Sequence, residues 1–182
     1  MSIYDTSILL PSGIECHLKG TLLTIKGSKG SIDKTFYYPS ITLTHSNNTL
    51  LLSTKLSKPN KNIKMYINTF AAHINNMIHG VQHPYKATLK VCSGHFPITV
   101  TSEGQTVVVK NFLGEKSPRK AFILPGAKVI VQGDQITVEG VDIDAVSQTA
   151  ARIEQSTRIT NRDRRIFQDG CYITLKAGEK NE

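Results

Sequence analysis

His79 and His83 stand four residues apart, and Cys92 and His95 are separated by two, spacings at which side chains can share a zinc ion. Neither pair grows into a four-ligand set. Gly80 and Pro84 are expected to break the helix that the histidine pair needs, and no further Cys/His pair completes the second. Asp142 and Asp144 would be an acid-base pair, but they precede an apolar helical stripe, where carboxylates cap the positive end of a helix. The chain has no G-x-S-x-G elbow, no G-x-x-x-x-G-K-[ST] string and no G-x-G-x-x-G string. These residues point to no catalytic group, no metal, no cofactor and no small-molecule substrate.

The chemistry that remains is that of cations. Lysine and arginine number 22 against 14 acids, a formal charge of +8, and this balance favours a polyanionic partner. The cations come in blocks: Lys55, Lys58, Lys61 and Lys64; then Lys110, Lys116, Arg119 and Lys120 around "NFLGEKSPRK"; then Arg158, Arg162, Arg164 and Arg165. One such block is more often a solvated surface than a site. Three of them with few acids between make phosphate binding the better reading. Arginine suits the last block because its planar fork grips two phosphate oxygens at once. Asn111 and Gly114 lie in the loop of the second block, where glycine lets backbone N–H groups approach a phosphate. Phe112, Phe167 and Tyr172 lie beside strand-like runs and are expected in the core, so recognition should rest on shape and phosphate with little reading of bases.

Elements must hold these cations in place. The first half carries short β-rich runs, "TLLTIKG", "KTFYY", "ITLTH" and "TLLLSTK", with Asn47-Asn48 as a hairpin turn. Ile67, Phe70, Ala71, Ile74, Met77, Ile78 and Val81 then recur at helical spacing, which predicts a helix over about 65–79 stopped by Gly80. The second half repeats the order with "ATLKVCS", "PITVTS", "TVVVKN", "KAFILP", "KVIVQG" and "ITVEG", a turn at Gly133-Asp134, and a second stripe at Ile143, Val146, Ala150 and Ile153. Strand, basic loop, strand, hairpin and helix thus occur twice at a separation of about 85 residues, the mark of an internal duplication. The predicted architecture is α+β: two tandem small domains of one fold, residues 1–82 and 83–182, each an antiparallel-rich sheet with one helix packed on a face.

The last arginine block raises a physical problem, since a loose tail loses backbone and side-chain freedom when it docks. Asp169-Gly170 is expected to start a terminal strand, "CYITLK", with Phe167 and Tyr172 pinning the arm and Asp163 and Asp169 pairing with its arginines. Three cysteines, Cys16, Cys92 and Cys171, make no disulfide framework and fit a reducing cytosol or nucleus. No run approaches the length of a membrane span, so no membrane partner is expected.

"NFLGEK" (111–116) and "ITVEGVDIDAVSQTAARIEQSTRITNRDRRIFQDGCYI" (136–173) resemble the eukaryotic branch of the universal large-subunit ribosomal protein family, called the sixth in bacteria and the ninth in eukaryotes. Gln155, Ile159, Arg162, Arg165, Phe167, Asp169, Gly170 and Tyr172 fall on its C-terminal signature, with Cys171 where an aliphatic residue is usual. "FAAHINNMIHGV" (70–81) and "GHFPI" (94–98) are also similar to family segments. The resemblance implies two copies of one α+β fold and a structural, non-enzymatic role in the large ribosomal subunit. It implies binding to large-subunit ribosomal RNA near the sarcin-ricin and factor-binding region, beside neighbouring ribosomal proteins. It also implies a place on cytoplasmic ribosomes, with nuclear or nucleolar passage during assembly. The residues expected to bind ribosomal RNA are Lys110, Asn111, Gly114, Lys116, Arg119, Lys120, Arg158, Arg162, Arg164 and Arg165. The competing reading is a free-standing RNA-binding regulatory module.

Overall fold

The computed structural model describes residues 5–46, 48–56 and 60–179. Asn47 of the expected hairpin turn and Lys58 of the first basic block lie outside the described residues. The chain divides into two compact units, with the boundary between His83 and Pro84.

The first unit contains β1 (Thr6–Leu9), β2 (Glu15–Lys19), β3 (Leu22–Gly27), β4 (Gly30–Thr35), β5 (Ile41–Ser46), β6 (Thr49–Thr54) and α1 (Lys61–Gln82). Its strands form two antiparallel sheets, β1-β6-β5 and β2-β3-β4, rather than one. Helix α1 packs against β1, β3, β4 and β6. Its buried stripe is Ile63, Ile67, Ile74, Met77, Ile78 and Val81, joined by Leu23, Ile25, Leu50 and Leu52 from the strands.

The helix is longer at both ends than the spacing of 67–81 predicts. Asn60 caps its start, the side-chain oxygen accepting from the N–H of Lys61, so that Ile63 opens the buried stripe. At the other end Gly80 does not stop it. Gly80 is buried inside the helix, and the turn out of α1 comes at His83, which is extended as a residue before proline must be. The strand expected at "KTFYY" is also displaced: β4 ends at Thr35, Phe36 turns into the core and Tyr37 is exposed.

The second unit contains β7 (Tyr85–Cys92), β8 (Thr99–Glu103), β9 (Thr106–Lys110), a 3-10 turn (Phe112–Gly114), β10 (Arg119–Phe122), β11 (Ala127–Gln132), β12 (Gln135–Gly140), α2 (Ile143–Ser156) and β13 (Gly170–Leu175). Its sheets are β10-β9-β8 and β11-β12-β7-β13. Strand for strand this is the first unit again, with β13 added antiparallel on the outer edge of β7. Asp142 caps α2, its carboxylate accepting from the N–H of Asp144, as the sequence predicts. The core joins Leu89, Val107, Ile136 and Val138 of the strands to Val146, Ala150 and Ile153 of α2 and to Cys171 of β13. The chain thus has the two tandem α+β domains that its repeated pattern predicts.

Candidate nucleic-acid interface

A smaller apolar cluster in the second unit carries the cations. Val109 at the end of β9, Phe112 in the 3-10 turn and Ile159 just past α2 are buried together, with Leu113 and Phe167 packed on them. Burying a side chain such as Phe112 contributes about 1.5–3 kcal/mol. Two basic segments that are distant in sequence, 110–120 and 158–167, are therefore fastened to one apolar base.

The loop after β9 turns sharply. Asn111, Leu113 and Gly114 all have positive φ, at 60°, 50° and 77°; glycine takes this freely and asparagine tolerates it, so the strain falls on Leu113. A Cβ on Gly114 would also sit 3.3 Å from the Phe96 ring. Asn111 anchors the turn through its side-chain N–H donor to the carbonyl of Pro97, at 3.0 Å.

Arg119 is occupied by the protein itself. Its Nε and Nη2 grip both oxygens of Glu115 at 2.8 and 2.6 Å, and its Nη1 donates to the carbonyls of Ser156 (2.9 Å) and Arg158 (3.3 Å) past the end of α2. The guanidinium carbon lies 4.2 Å from the centre of the Phe112 ring. A cation at the carboxyl end of a helix is favoured by the helix dipole, and here it also satisfies carbonyls that the helix leaves open. Glu115 is held below the usual carboxylate range by the hydrogen bonds from Arg119, against the opposing effect of desolvation, with further help from the charges of Arg119 and Arg162. Arg119 therefore ties the loop to the start of the arm.

The arm itself is pinned from below. Arg162 lies over the Phe167 ring at 4.9 Å, and Phe167 stacks on the His95 ring at 4.7 Å. His95 donates from Nδ1 to Oδ2 of Asp169 at 2.7 Å, while Oδ1 of Asp169 accepts from the backbone N–H groups of Gly94 (2.7 Å) and His95 (2.9 Å). Asp169 is fully buried. Burial pushes its carboxyl upward, but the hydrogen bonds from His95 and Gly94 outweigh that and hold it below its ordinary value. The expected pairing of Asp169 with an arginine is thus corrected: its partners are a histidine and two amides. Asp163 does pair as expected, with the guanidinium of Arg165, Nη2 to Oδ2 at 2.7 Å, and its backbone carbonyl turns the chain by accepting from Ile166 and Phe167. The Arg165 hydrogen bonds lower the Asp163 carboxyl.

Lys110, Lys116, Lys120, Arg158, Arg162 and Arg164 are exposed, and none of their side chains makes a hydrogen bond or ion pair with another described residue. Arg158 and Arg164 line one cleft beside Tyr172. Lys110 and Lys120 project from β9 and β10. His95 was visible in the sequence as half of a metal pair with Cys92 and within the family-like segment "GHFPI". Its true partners lie more than 70 residues away, and no local spacing announces them. Among the described residues no group of three or more metal-ligating side chains occurs.

The second unit thus carries an arginine arm fixed to a small apolar base, and the comparisons with known proteins agree with the α+β repeat. The family model for ribosomal protein L6 matches twice, at residues 10–83 and 96–170. The large ribosomal subunit protein uL6 of Methanospirillum hungatei is 42% identical over 93% of this chain and 96% of its own length. The uL6 of Methanosarcina mazei is 42% identical over 94% and 96%, and that of Haloarcula marismortui 40% over 92% and 93%. The chain belongs to the ribosomal protein L6 family, whose members are structural proteins rather than enzymes. These relatives are archaeal, whereas the C-terminal signature resembles the eukaryotic branch.

Proposed function

We propose that this protein is a structural constituent of the large ribosomal subunit and binds large-subunit ribosomal RNA through the second unit. Its place there, by family resemblance, is near the sarcin-ricin and factor-binding region, next to other large-subunit proteins, in cytoplasmic translation. The observation that carries the reading is the stack of Arg162 on Phe167 on His95 above the buried Asp169. It holds a cation in place before any phosphate arrives, so less freedom is lost on docking. The contacting groups in this reading are Lys110, Lys116, Lys120, Arg158, Arg162, Arg164 and the outward face of Arg165. Asn111, Gly114 and Arg119 shape the loop that presents Lys116.

The test is the salt dependence of binding to a large-subunit RNA fragment. Arg162→Ala and Arg164→Ala should each lower the slope of log affinity against log salt by about one. Slopes equal to that of the unaltered protein, with folding intact, would remove these arginines from the interface. Sedimentation separates the free-standing regulator from the ribosomal protein, which should travel with large subunits through moderate salt.

A further inference from the structure

Between the end of α2 and β13 lies a cleft of about 320 Å³, walled by Glu154, Thr157, Arg158, Ile159, Arg164 and Tyr172. That size is at the lower end of the roughly 300–1,000 Å³ found for small-molecule sites. Its walls differ in chemistry. Arg158 and Arg164 are exposed cations without hydrogen-bond partners for their side chains among the described residues. Tyr172 supplies an aromatic ring, kept in place by its hydroxyl donating to the carbonyl of Asp169 at 3.3 Å. The Thr157 hydroxyl is already spent, donating to the Glu154 carbonyl (3.1 Å) and accepting from the N–H of Cys171 (2.9 Å). Glu154 is fixed as well: its Oε1 accepts from the N–H of Ile173 at 2.9 Å, and its Oε2 has no hydrogen-bond partner among the described residues.

A bare anion would suit this cleft poorly. The Glu154 carboxylate and the negative end of α2 would both repel it. A ligand that fits must offer a negative group to the two arginines, a flat ring to Tyr172, and N–H donors to Glu154. A nucleotide has all three, and it must be unpaired, because a base inside a double helix can neither enter a cleft nor show its pairing edge. Guanine presents two adjacent donors on that edge, N1–H and the exocyclic amine. Uracil presents one N–H between two carbonyls, which a carboxylate repels.

We propose, on the basis of the RNA-binding reading above, that this cleft receives one unpaired guanine nucleotide, its ring against Tyr172, its pairing edge on Glu154 and its phosphate between Arg158 and Arg164. The full chain would be titrated by fluorescence anisotropy with three labelled RNA hairpins of one sequence, fully paired, with a single bulged guanine, and with a single bulged uracil. Guanosine monophosphate serves as the competitor that tells a free nucleotide from one carried on RNA. The bulged guanine should bind roughly tenfold more tightly than the paired stem, the size of one base-aromatic stack. Tyr172→Leu should remove that gain and Tyr172→Phe should keep it. Glu154→Gln retains an oxygen for the N–H of Ile173 and should erase the preference of guanine over uracil.

Equal binding of paired and bulged hairpins, both weakened by Arg162→Ala, overturns the nucleotide cleft and leaves the RNA-binding reading standing. Failure of every hairpin to bind sinks both. Displacement of the bulged hairpin by micromolar guanosine monophosphate would make the cleft a site for a free nucleotide, and a guanine preference unmoved by Glu154→Gln would remove Glu154 as its reader; either result overturns the proposal as stated.

Discussion

The two units solve one problem with different parts. In each, the loop that follows the central strand of the three-stranded meander closes over the carboxyl end of the helix. In the first unit the loop is a tight hairpin, Gly27 to Gly30, and the N–H of Lys29 donates directly to the Val81 carbonyl at 3.0 Å. In the second the loop is longer, and the guanidinium of Arg119 reaches the carbonyls of Ser156 and Arg158. Backbone closure needs close approach and leaves no room for side chains. Closure by a side chain opens space for Glu115, Lys116 and the apolar cluster under the arm. The second unit thus carries a charged surface where the first has a closed corner.

A second difference follows from the first. The outer edge of β7 is covered by β13, whereas β1, its counterpart, carries no further strand among the described residues. In the first unit α1 leads straight to the boundary at His83. In the second, α2 is followed by the arginine arm and only then by β13, so the arm is held at both ends.

Removing the buried anchor beneath the arginine arm should have the largest effect. Asp169→Ala leaves the N–H groups of Gly94 and His95 and the His95 ring without their charged acceptor and should cost the second unit about 3 kcal/mol, measured by denaturant unfolding with hydrogen exchange resolving the units. Because hydrogen bonding holds the native Asp169 carboxyl below its unfolded value, its contribution is fully present above about pH 4 and is lost as pH falls through the lower native value. The difference between Asp169→Asn and the unaltered protein should therefore narrow on acidification; a constant gap would argue against ionised Asp169 as the anchor.

The backbone corner should fail next. A Cβ on Gly27 would lie 2.8 Å from Val81, so Gly27→Ala should destabilise the first unit by about 1–3 kcal/mol while the second unit's exchange rates stay unchanged. Arg119→Ala removes a partly exposed clamp and should cost about 1 kcal/mol, with the larger consequence of loosening the loop that presents Lys116. Lys116 footprints on RNA should spread in that variant. The smallest effect belongs to Arg165→Ala: its ion pair with Asp163 is exposed, and the unfolding transition should coincide with that of the unaltered protein.

Much of this was legible from the residues. The alternation of "KVIVQGDQITVEG" and the stripe Ile143, Val146, Ala150 and Ile153 declare a hairpin and a helix because period-two and period-3.6 burial leave plain marks. The duplication was visible for the same reason. β1 and β2 were not; "ECHLK" of β2 has no β-branched residue. The misplaced stop at Gly80 shows a local propensity overruled by packing, because the apolar stripe continues to Val81. The cations were found, but not which ones are spent internally: the commitment of Arg119 and the stack beneath Arg162 depend on residues that meet only in the folded unit.

Strand β13 has a consequence for how the protein is made. A ribosome synthesising this chain releases β7 long before β13, its neighbour in the sheet, and the arginine arm emerges in between. Until β13 settles beside β7 and brings Asp169 to the amides of Gly94 and His95, the arm lacks this anchor. The anchored form of the arm is therefore available only once the last strand of the unit has been made and paired.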